Sequence, residues 1–180
     1  MRLALIGFMG SGKSCLGRIL ARRLGMPFID LDSELERRVG RSIAEIFEAE
    51  GEAVFRGLEE ETLSDLAGRG DSHVLACGGG VVISQANRSL LAKAYITIWI
   101  EVPFAELMRR LANERAKRPL LAQDDYQNKA RALMMQREAL YKSASRLRYV
   151  WREGDSDEDS GRAIMRALEE SGIFPALRRS

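Results

Sequence analysis

Short apolar runs alternate along this chain with longer amphipathic segments. The apolar runs that predict strands cover residues 3–6, 28–29, 74–77, 95–100 and 149–151. Helical periodicity covers residues 13–24, 52–66, 104–111, 126–141 and 159–170. Strands that exchange with helices in this way are typical of a parallel sheet covered by helices. The pattern therefore predicts an α/β fold.

Helix-breaking and helix-capping residues mark the predicted helix ends. Gly25 and Pro27 end the first helix, and Ser42 with Glu45 forms a capping-box pattern that begins another. The chain shows no internal repeat or low-complexity tract.

Residues 113–125 break the alternation of strands and helices. The segment is rich in charge, contains Pro119 and lies between two predicted helices without strand periodicity. Long loops in compact domains are often functional. Two interpretations stay open, a mobile lid and an ordinary surface loop.

The composition restricts the possible classes of protein. The 180 residues, 46% of them hydrophobic, suit one domain over residues 1–180. The 28 basic and 26 acidic side chains give a net charge of only +2, so we expect no nucleic-acid partner and only local anion sites. Cys15 and Cys77 are too few for a disulfide framework or a zinc motif, which favours a reducing cytoplasm.

No segment predicts export or membrane insertion. The apolar residues 1–6 are too short for a signal peptide, and residues 95–100 fall well short of the roughly 20 needed to cross a bilayer. We therefore expect a soluble, cytoplasmic protein with no membrane partner.

The sequence GFMGSGKS at positions 7–14 matches the phosphate-loop motif G-x-x-x-x-G-K-[ST], between a predicted strand and a predicted helix. Its backbone N–H groups and the helix N-terminus face phosphates, and Lys13 adds charge at the β and γ phosphates. Ser14 offers a hydroxyl to Mg²⁺. A glycine turn that only packs helix on strand is the alternative, but the motif with its context predicts binding of ATP with Mg²⁺. The expected nucleotide-binding residues are Gly10, Ser11, Gly12, Lys13, Ser14 and Cys15.

Two carboxylates, Asp30 and Asp32, follow the second predicted strand. The carboxyl ends of parallel strands are where open α/β sheets bind ligands. One carboxylate suits Mg²⁺ held through water, and the other suits the attacking hydroxyl as a base. The alternative is that Asp32 or Ser33 only caps the next helix.

Three glycines at positions 78–80 end the third predicted strand. Without side chains they let backbone N–H groups approach a ligand, whereas a plain turn needs fewer glycines. Arg56 and Arg137 are candidates to bind a carboxylate with two parallel hydrogen bonds, although either arginine taken alone is better interpreted as a surface residue. His73 precedes a buried-looking strand and is interpreted as structural.

Taken together, these sequences resemble the shikimate kinase family along nearly the whole chain. The matching motifs are GFMGSGKS at 7–14, DLD at 30–32, GRSIAEIF at 40–47, FRGLEEE at 55–61, GGG at 78–80, RPLL at 118–121 and REALY at 137–141. The resemblance implies a three-layer P-loop kinase fold with a central five-stranded parallel sheet and helices on both faces. It also implies a substrate-binding helical segment at about 31–62 and a lid at about 113–125.

The resemblance also implies an activity, the ATP-dependent phosphorylation of the 3-hydroxyl of shikimate in aromatic amino-acid biosynthesis. Its implied catalytic residues are Lys13, Asp32 and Arg118. Arg118 would close onto the nucleotide phosphates, and Ser14 and Asp30 would hold Mg²⁺. Shikimate would be bound by Asp32, Arg56, Arg137 and the backbone N–H of Gly79, in an enzyme expected to be a monomer.

Two departures from the family pattern concern the nucleotide. Cys15 replaces a second hydroxyl residue, and residues 149–155 match the adenine-side segment poorly, with Arg152 as a candidate adenine contact. Two rival functions stay open, a gluconate kinase of the same architecture and a nucleotide-binding regulator without turnover. The DLD, FR, GGG and RPLL set argues against the first, and a base candidate beside a lid arginine argues against the second.

Overall fold

Five parallel strands form the central sheet of this computed structural model, which describes residues 1–112 and 125–173. The strands are β1 (Arg2–Ile6), β2 (Phe28–Asp30), β3 (His73–Ala76), β4 (Ile96–Glu101) and β5 (Leu147–Val150). Their order is β2-β3-β1-β4-β5, so the first strand lies in the middle of the sheet. Leu5 of β1 pairs with Ala76 of β3 on one side and with Ile98 of β4 on the other.

Helices connect these strands. They are α1 (Lys13–Leu24), α2 (Leu31–Val39), α3 (Ile43–Gly68), α4 (Gln85–Ala94), α5 (Phe104–Ala112), α6 (Tyr126–Ala144) and α7 (Asp157–Glu170). The capping box of Ser42 and Glu45 begins α3, as predicted, and α3 kinks at Gly51. In the described ranges, no helix combines the length and the apolar character that crossing a membrane requires.

The side chains of β1 show why the sheet carries helices on both faces. Leu3 and Leu5 point into a buried cluster with apolar residues of α1, α5 and α7. Ala4 and Ile6 point into a second cluster with residues of α3 and α4. Because successive side chains of a strand face opposite ways, a strand that is apolar at every position is buried on both faces. The predicted three-layer α/β fold with its five-stranded sheet is confirmed.

The predicted boundaries differ from the observed ones in a few places. Strand β5 begins at Leu147 rather than at residue 149, because its side chains alternate between partly buried and exposed on the sheet edge. Helix α4 was not predicted from the apolar pattern; it has Ser84 as its N-cap and only one buried leucine, Leu91. A short helix with so few buried residues gives a weak periodic signal.

Candidate active site

The phosphate loop connects β1 to α1 at the carboxyl end of the central strand. Gly12 is the N-cap of α1 and has φ +87°, a left-handed conformation that glycine adopts without strain. Within the loop, the Ser11 N–H donates to Phe8 O at 3.2 Å. The sequence thus folds into a tight turn at a helix N-terminus, the arrangement that binds phosphate groups.

Lys13 lies back over this loop. Its Nζ donates to Phe8 O at 2.9 Å and to Ser11 Oγ at 3.4 Å. Cys15, in the first turn of α1, is exposed, and its thiol donates to Asp157 Oδ2 at 3.0 Å. Partial burial and the hydrogen bond to Asp157 raise the pKa of the Cys15 thiol to about 11, so the thiol stays protonated at neutral pH.

Asp30 links the phosphate loop to the start of α2. Ser14 Oγ donates to Asp30 Oδ2 at 2.7 Å, and Asp30 Oδ1 accepts from the Ser33 N–H at 3.4 Å. Asp30 is therefore the N-cap of α2, and the alternative that Asp32 or Ser33 caps this helix is wrong. Asp30 is both the last residue of β2 and the cap of α2.

Asp32 lies in the first turn of α2, facing the glycine turn at residues 78–80. Burial, and next the negative charge of Asp30, raise the pKa of Asp32 above its ordinary value, while Lys13 acts in the opposite direction. A carboxylate with raised proton affinity is a better base for a hydroxyl. The geometry therefore suits the predicted role of Asp32.

The glycine turn contacts each of the predicted acceptor-site residues. A Cβ added to Gly78 would lie 2.7 Å from Asp32 Oδ1, and one added to Gly80 would lie 2.5 Å from Arg56 Nη1. A Cβ on Gly79 would lie 3.3 Å from the Met9 backbone N in the phosphate loop. A side chain at Gly78 or Gly80 would displace Asp32 or Arg56, and one at Gly79 would be tight against the phosphate loop, so these glycines let the turn approach all three neighbours closely.

Arg56 is held by two carboxylates of its own helix. Its Nη1 donates to Glu59 Oε2 at 2.9 Å and its Nη2 to Glu52 Oε1 at 3.0 Å. Glu59 is 0% exposed, and its second oxygen, Oε1, has no hydrogen-bond partner in the described part of the chain. Burial raises the pKa of Glu59, against the opposing effect of Arg56. Glu59 was not among the predicted site residues, although an acid three residues after a candidate arginine on a helix was the available signal.

Arg137 reaches the same turn from α6. Its Nη1 donates to Gly79 O at 3.3 Å, and the Tyr141 hydroxyl donates to the same oxygen at 2.5 Å. Tyr141 was another omission from the predicted site, and burial raises its pKa to about 12, so it remains a donor. The predicted role of Gly79 concerns its N–H, whereas these contacts engage its carbonyl.

A cleft of about 780 Å³ extends from the phosphate loop to the glycine turn. Its lining includes Lys13, Ser14, Asp30 and Asp32, whereas Arg56 and Arg137 contact the glycine turn without lining the cleft. Trp151 also lines this cleft. Arg118 and most of the predicted lid, residues 113–124, lie outside the described residues, so their placement stays a prediction.

A phosphate loop after the central strand of a parallel sheet, with a carboxylate and two arginines grouped beside it, defines a P-loop small-molecule kinase. Comparison with known families narrows this class further, because the family model described as shikimate kinase matches residues 9–169. The chain belongs to the shikimate kinase family.

Curated relatives and solved structures agree with this assignment. The chain is 39% identical over 173 residues to a shikimate kinase of Symbiobacterium thermophilum, covering 96% of this chain and 98% of the relative. It is 39% identical over 176 residues to a shikimate kinase of Paracidovorax citrulli, covering 97% and 96%. A structure titled shikimate kinase from Acinetobacter baumannii in complex with shikimate superposes with a TM-score of 0.88 at 32% identity, covering 96% of this chain and 95% of that one.

Proposed function

We propose that this kinase transfers the γ-phosphate of ATP to the 3-hydroxyl of shikimate, which gives shikimate 3-phosphate and ADP for aromatic amino-acid (chorismate) biosynthesis. One observation carries the proposal. The glycine turn at 78–80 contacts Asp32, Arg56, Arg137 and the phosphate loop together. A hydroxylated carboxylic acid bound there would find a base, two guanidinium groups and a transferable phosphate within one site.

The nucleotide half of the site binds the phosphates. The backbone N–H groups of Gly10, Ser11 and Gly12 and the N-terminus of α1 offer hydrogen bonds and a positive dipole to the β-phosphate. Lys13 exchanges its contacts within the loop for the phosphate oxygens, and Arg118 approaches the γ-phosphate from the predicted lid. Cys15 continues the phosphate-binding turn with its backbone N–H.

The residues at the end of β2 fit Mg²⁺. The Ser14 hydroxyl and the Asp30 carboxylate are hard oxygen donors 2.7 Å apart at the cleft. Across residues 1–112 and 125–173, no three acidic, histidine or cysteine side chains group as a metal site. The remaining ligands would then be phosphate oxygens and water, with Asp30 acting directly or through water. When bound, Mg²⁺ supplies positive charge that stabilises the transferred phosphoryl group.

In the acceptor half, Arg56 and Arg137 bind the shikimate carboxylate, and the Gly79 N–H adds a further hydrogen bond. Asp32 accepts the proton of the 3-hydroxyl as its oxygen attacks the γ-phosphorus. The bond between that phosphorus and the bridging oxygen breaks, and its electron pair leaves with ADP, next to Lys13. Shikimate thus gains the phosphoryl group, and Asp32 holds the proton.

An ADP-coupled assay tests the proposal. We expect turnover with shikimate and Mg²⁺, and background rates with gluconate, with nucleoside monophosphates or with excess EDTA. Equal turnover of gluconate and shikimate would refute the acceptor assignment. ATP binding without turnover of any acceptor would favour a regulator instead.

The proposal extends to the assembly and location of the enzyme. We propose a cytoplasmic monomer, with residues 31–62 as the substrate-binding segment of a single domain. The two free cysteines support the cytoplasmic location, because a reducing compartment keeps thiols unpaired. Light scattering after size-exclusion chromatography measures the mass, and a dimer mass would contradict the monomer.

A further inference from the structure

The carbonyl oxygen of Gly79 accepts two hydrogen bonds from α6. Arg137 Nη1 donates to it at 3.3 Å, and the Tyr141 hydroxyl donates to it at 2.5 Å. The two donors are four positions apart, so they lie on the same face of the helix. Arg137 is half-buried, whereas Tyr141 is only 2% exposed. One donor of this carbonyl is therefore fixed in the core, and the other reaches it from the surface.

The ring of Tyr141 is held against the sheet. It stacks on Trp99 of β4, with the ring centroids 6.1 Å apart and the planes inclined by 21°. Both rings belong to the buried cluster that includes residues of α3 and α4. Burial raises the pKa of the Tyr141 hydroxyl to about 12, although the charge of Arg137 opposes this, so the hydroxyl is a neutral donor at physiological pH. Through this donor the packed core fixes the position of the glycine turn.

The bond from Arg137 is the weaker of the two. Its 3.3 Å length lies beyond the usual range of about 2.7 to 3.2 Å for an N–H donor and an oxygen acceptor. Arg56 is paired with the carboxylates of Glu52 and Glu59, whereas no carboxylate in the described ranges forms an ion pair with Arg137. A carboxylate that accepts two parallel hydrogen bonds from Arg137 offers this guanidinium a stronger acceptor than a neutral carbonyl does. Arg137 is thus able to exchange the Gly79 carbonyl for a bound acid.

We propose that Tyr141 is a positioning residue of the acceptor site, which keeps the Gly79 carbonyl hydrogen-bonded when Arg137 leaves it for the carboxylate of shikimate. The inference rests on the proposed function, which places that carboxylate at Arg137. Without the hydroxyl, Arg137 would be the only side-chain donor to this carbonyl among the described residues. Its departure would then leave the oxygen without a partner, and this cost would weaken the binding of shikimate. Tyr141 acts through Gly79 and Arg137 and does not itself bind the substrate.

Steady-state kinetics of two tyrosine variants test this role. Tyr141→Phe keeps the stacked ring and removes only the hydroxyl, so the KM for shikimate should rise about 5- to 30-fold. The KM for ATP should stay constant, and kcat should fall about threefold or less. Tyr95→Phe is the matched control, because it also removes the hydroxyl of a buried tyrosine, one that lies 3.1 Å from His73 Nε2 at the opposite end of the sheet. Both variants should lose Tm, but only Tyr141→Phe should change the KM for shikimate.

A double-mutant cycle with Arg137→Ala separates the exchange from a general distortion of the glycine turn. In the Arg137→Ala protein there is no guanidinium to exchange, so adding Tyr141→Phe should change the KM for shikimate by about twofold or less. A distorted turn would instead weaken binding by the same factor in both backgrounds.

Two results would overturn the inference alone, while the parent enzyme phosphorylates shikimate. They are a parent-like KM for shikimate in Tyr141→Phe, and equal effects of Tyr141→Phe with and without Arg137. Parent protein that does not phosphorylate shikimate would refute the proposed function, and this inference with it.

Discussion

Arg56 and Glu59 lie one turn apart on α3, and the guanidinium binds a carboxylate that is itself fully buried. The other partner of Arg56, Glu52, has a side chain that is 61% exposed. A buried partner holds an arginine more firmly than an exposed one, because solvent screens and competes for the exposed pair. Glu59 therefore fixes the direction in which Arg56 points at the glycine turn.

The first prediction compares the two partners of Arg56. Glu59→Gln keeps the shape but removes the charge, so Arg56 should lose its orientation and the KM for shikimate should rise about tenfold. Glu52→Gln, the matched control, should change that KM by about threefold or less. The KM for ATP should stay constant in both variants. Steady-state kinetics at saturating ATP measure the difference, and equal shikimate KM values in the two variants would contradict the role of Glu59.

A second prediction uses the close approach of Gly80 to Arg56. In Gly80→Ala the new methyl group would lie 2.5 Å from Arg56 Nη1, so the guanidinium must move and shikimate should bind more weakly. Gly57→Ala is the control. Gly57 is next to Arg56 on α3, and a Cβ added there would meet nothing within 4 Å. That control should keep the parent affinity and gain up to about 1 kcal/mol of helix stability. Parent-like shikimate affinity in Gly80→Ala would show that Arg56 is not needed in its observed position.

The third prediction concerns Asp32 as the base. Asp32→Asn should lower kcat by about 10² to 10⁴, because the amide cannot accept the hydroxyl proton. ATP affinity and thermal stability should remain close to those of the parent. Burial raises the pKa of Asp32, and the base must be ionised, so the parent rate should fall as the pH falls through that raised pKa. Near-normal turnover of the variant would exclude Asp32 from proton transfer.

The parts of this site that could be predicted from the sequence are those formed by short contiguous motifs. The phosphate loop and the DLD and GGG motifs are contiguous, and each follows a strand whose apolar run is visible in the sequence. Because β2, β3 and β1 are parallel and adjacent, all three motifs lie side by side at the same end of the sheet. Local chemistry together with the α/β pattern was therefore enough to group the phosphate and acceptor residues.

The residues that the sequence did not reveal act through distant contacts. The Tyr141 hydroxyl donates to the carbonyl of Gly79, which is 62 positions away, and the Arg110 guanidinium lies over the ring of Trp151. Neither contact follows from spacing along the chain, because it depends on where β5 and α6 end relative to the phosphate loop. The capping of α2 by Asp30 was also not predicted. This one side chain accepts hydrogen bonds both from the Ser14 hydroxyl and from the Ser33 N–H at the start of α2.

A fourth prediction concerns Arg118, which lies in the segment predicted to be a lid. If Arg118 reaches the transferred phosphoryl group, Arg118→Ala should lower kcat by about 10³ to 10⁵ while ATP affinity changes little. Lys117→Ala removes the neighbouring charge and serves as the control. Single-turnover kinetics separate the chemical step from binding. A kcat for Arg118→Ala within about twofold of the parent would instead favour an ordinary surface loop.

The last prediction concerns His73, the single histidine of the sequence. It is fully buried at the start of β3, at the opposite end of the sheet from the cleft, and its Nε2 lies 3.1 Å from the Tyr95 hydroxyl. Its Nδ1 lacks a hydrogen-bond partner among the described residues. Burial lowers the pKa of His73 below 6.5, against the opposing charge of Asp71, while Arg2 and Arg69 lower it further. These contacts favour the neutral imidazole in the folded protein.

The lowered pKa predicts a pH-dependent stability. Between the folded pKa and the unfolded value of about 6.5, the unfolded chain binds a proton that the folded protein excludes. The contribution of His73 is therefore present above about pH 6.5 and lost as the pH falls through this window. His73→Gln cannot titrate, so its deficit in Tm relative to the parent should shrink as the pH is lowered from 7.5 to 5.5, since the parent alone loses this contribution. Because there is one histidine, its ring NMR signal reports the folded pKa directly, and a midpoint at or above 6.5 with a constant Tm difference would contradict the prediction.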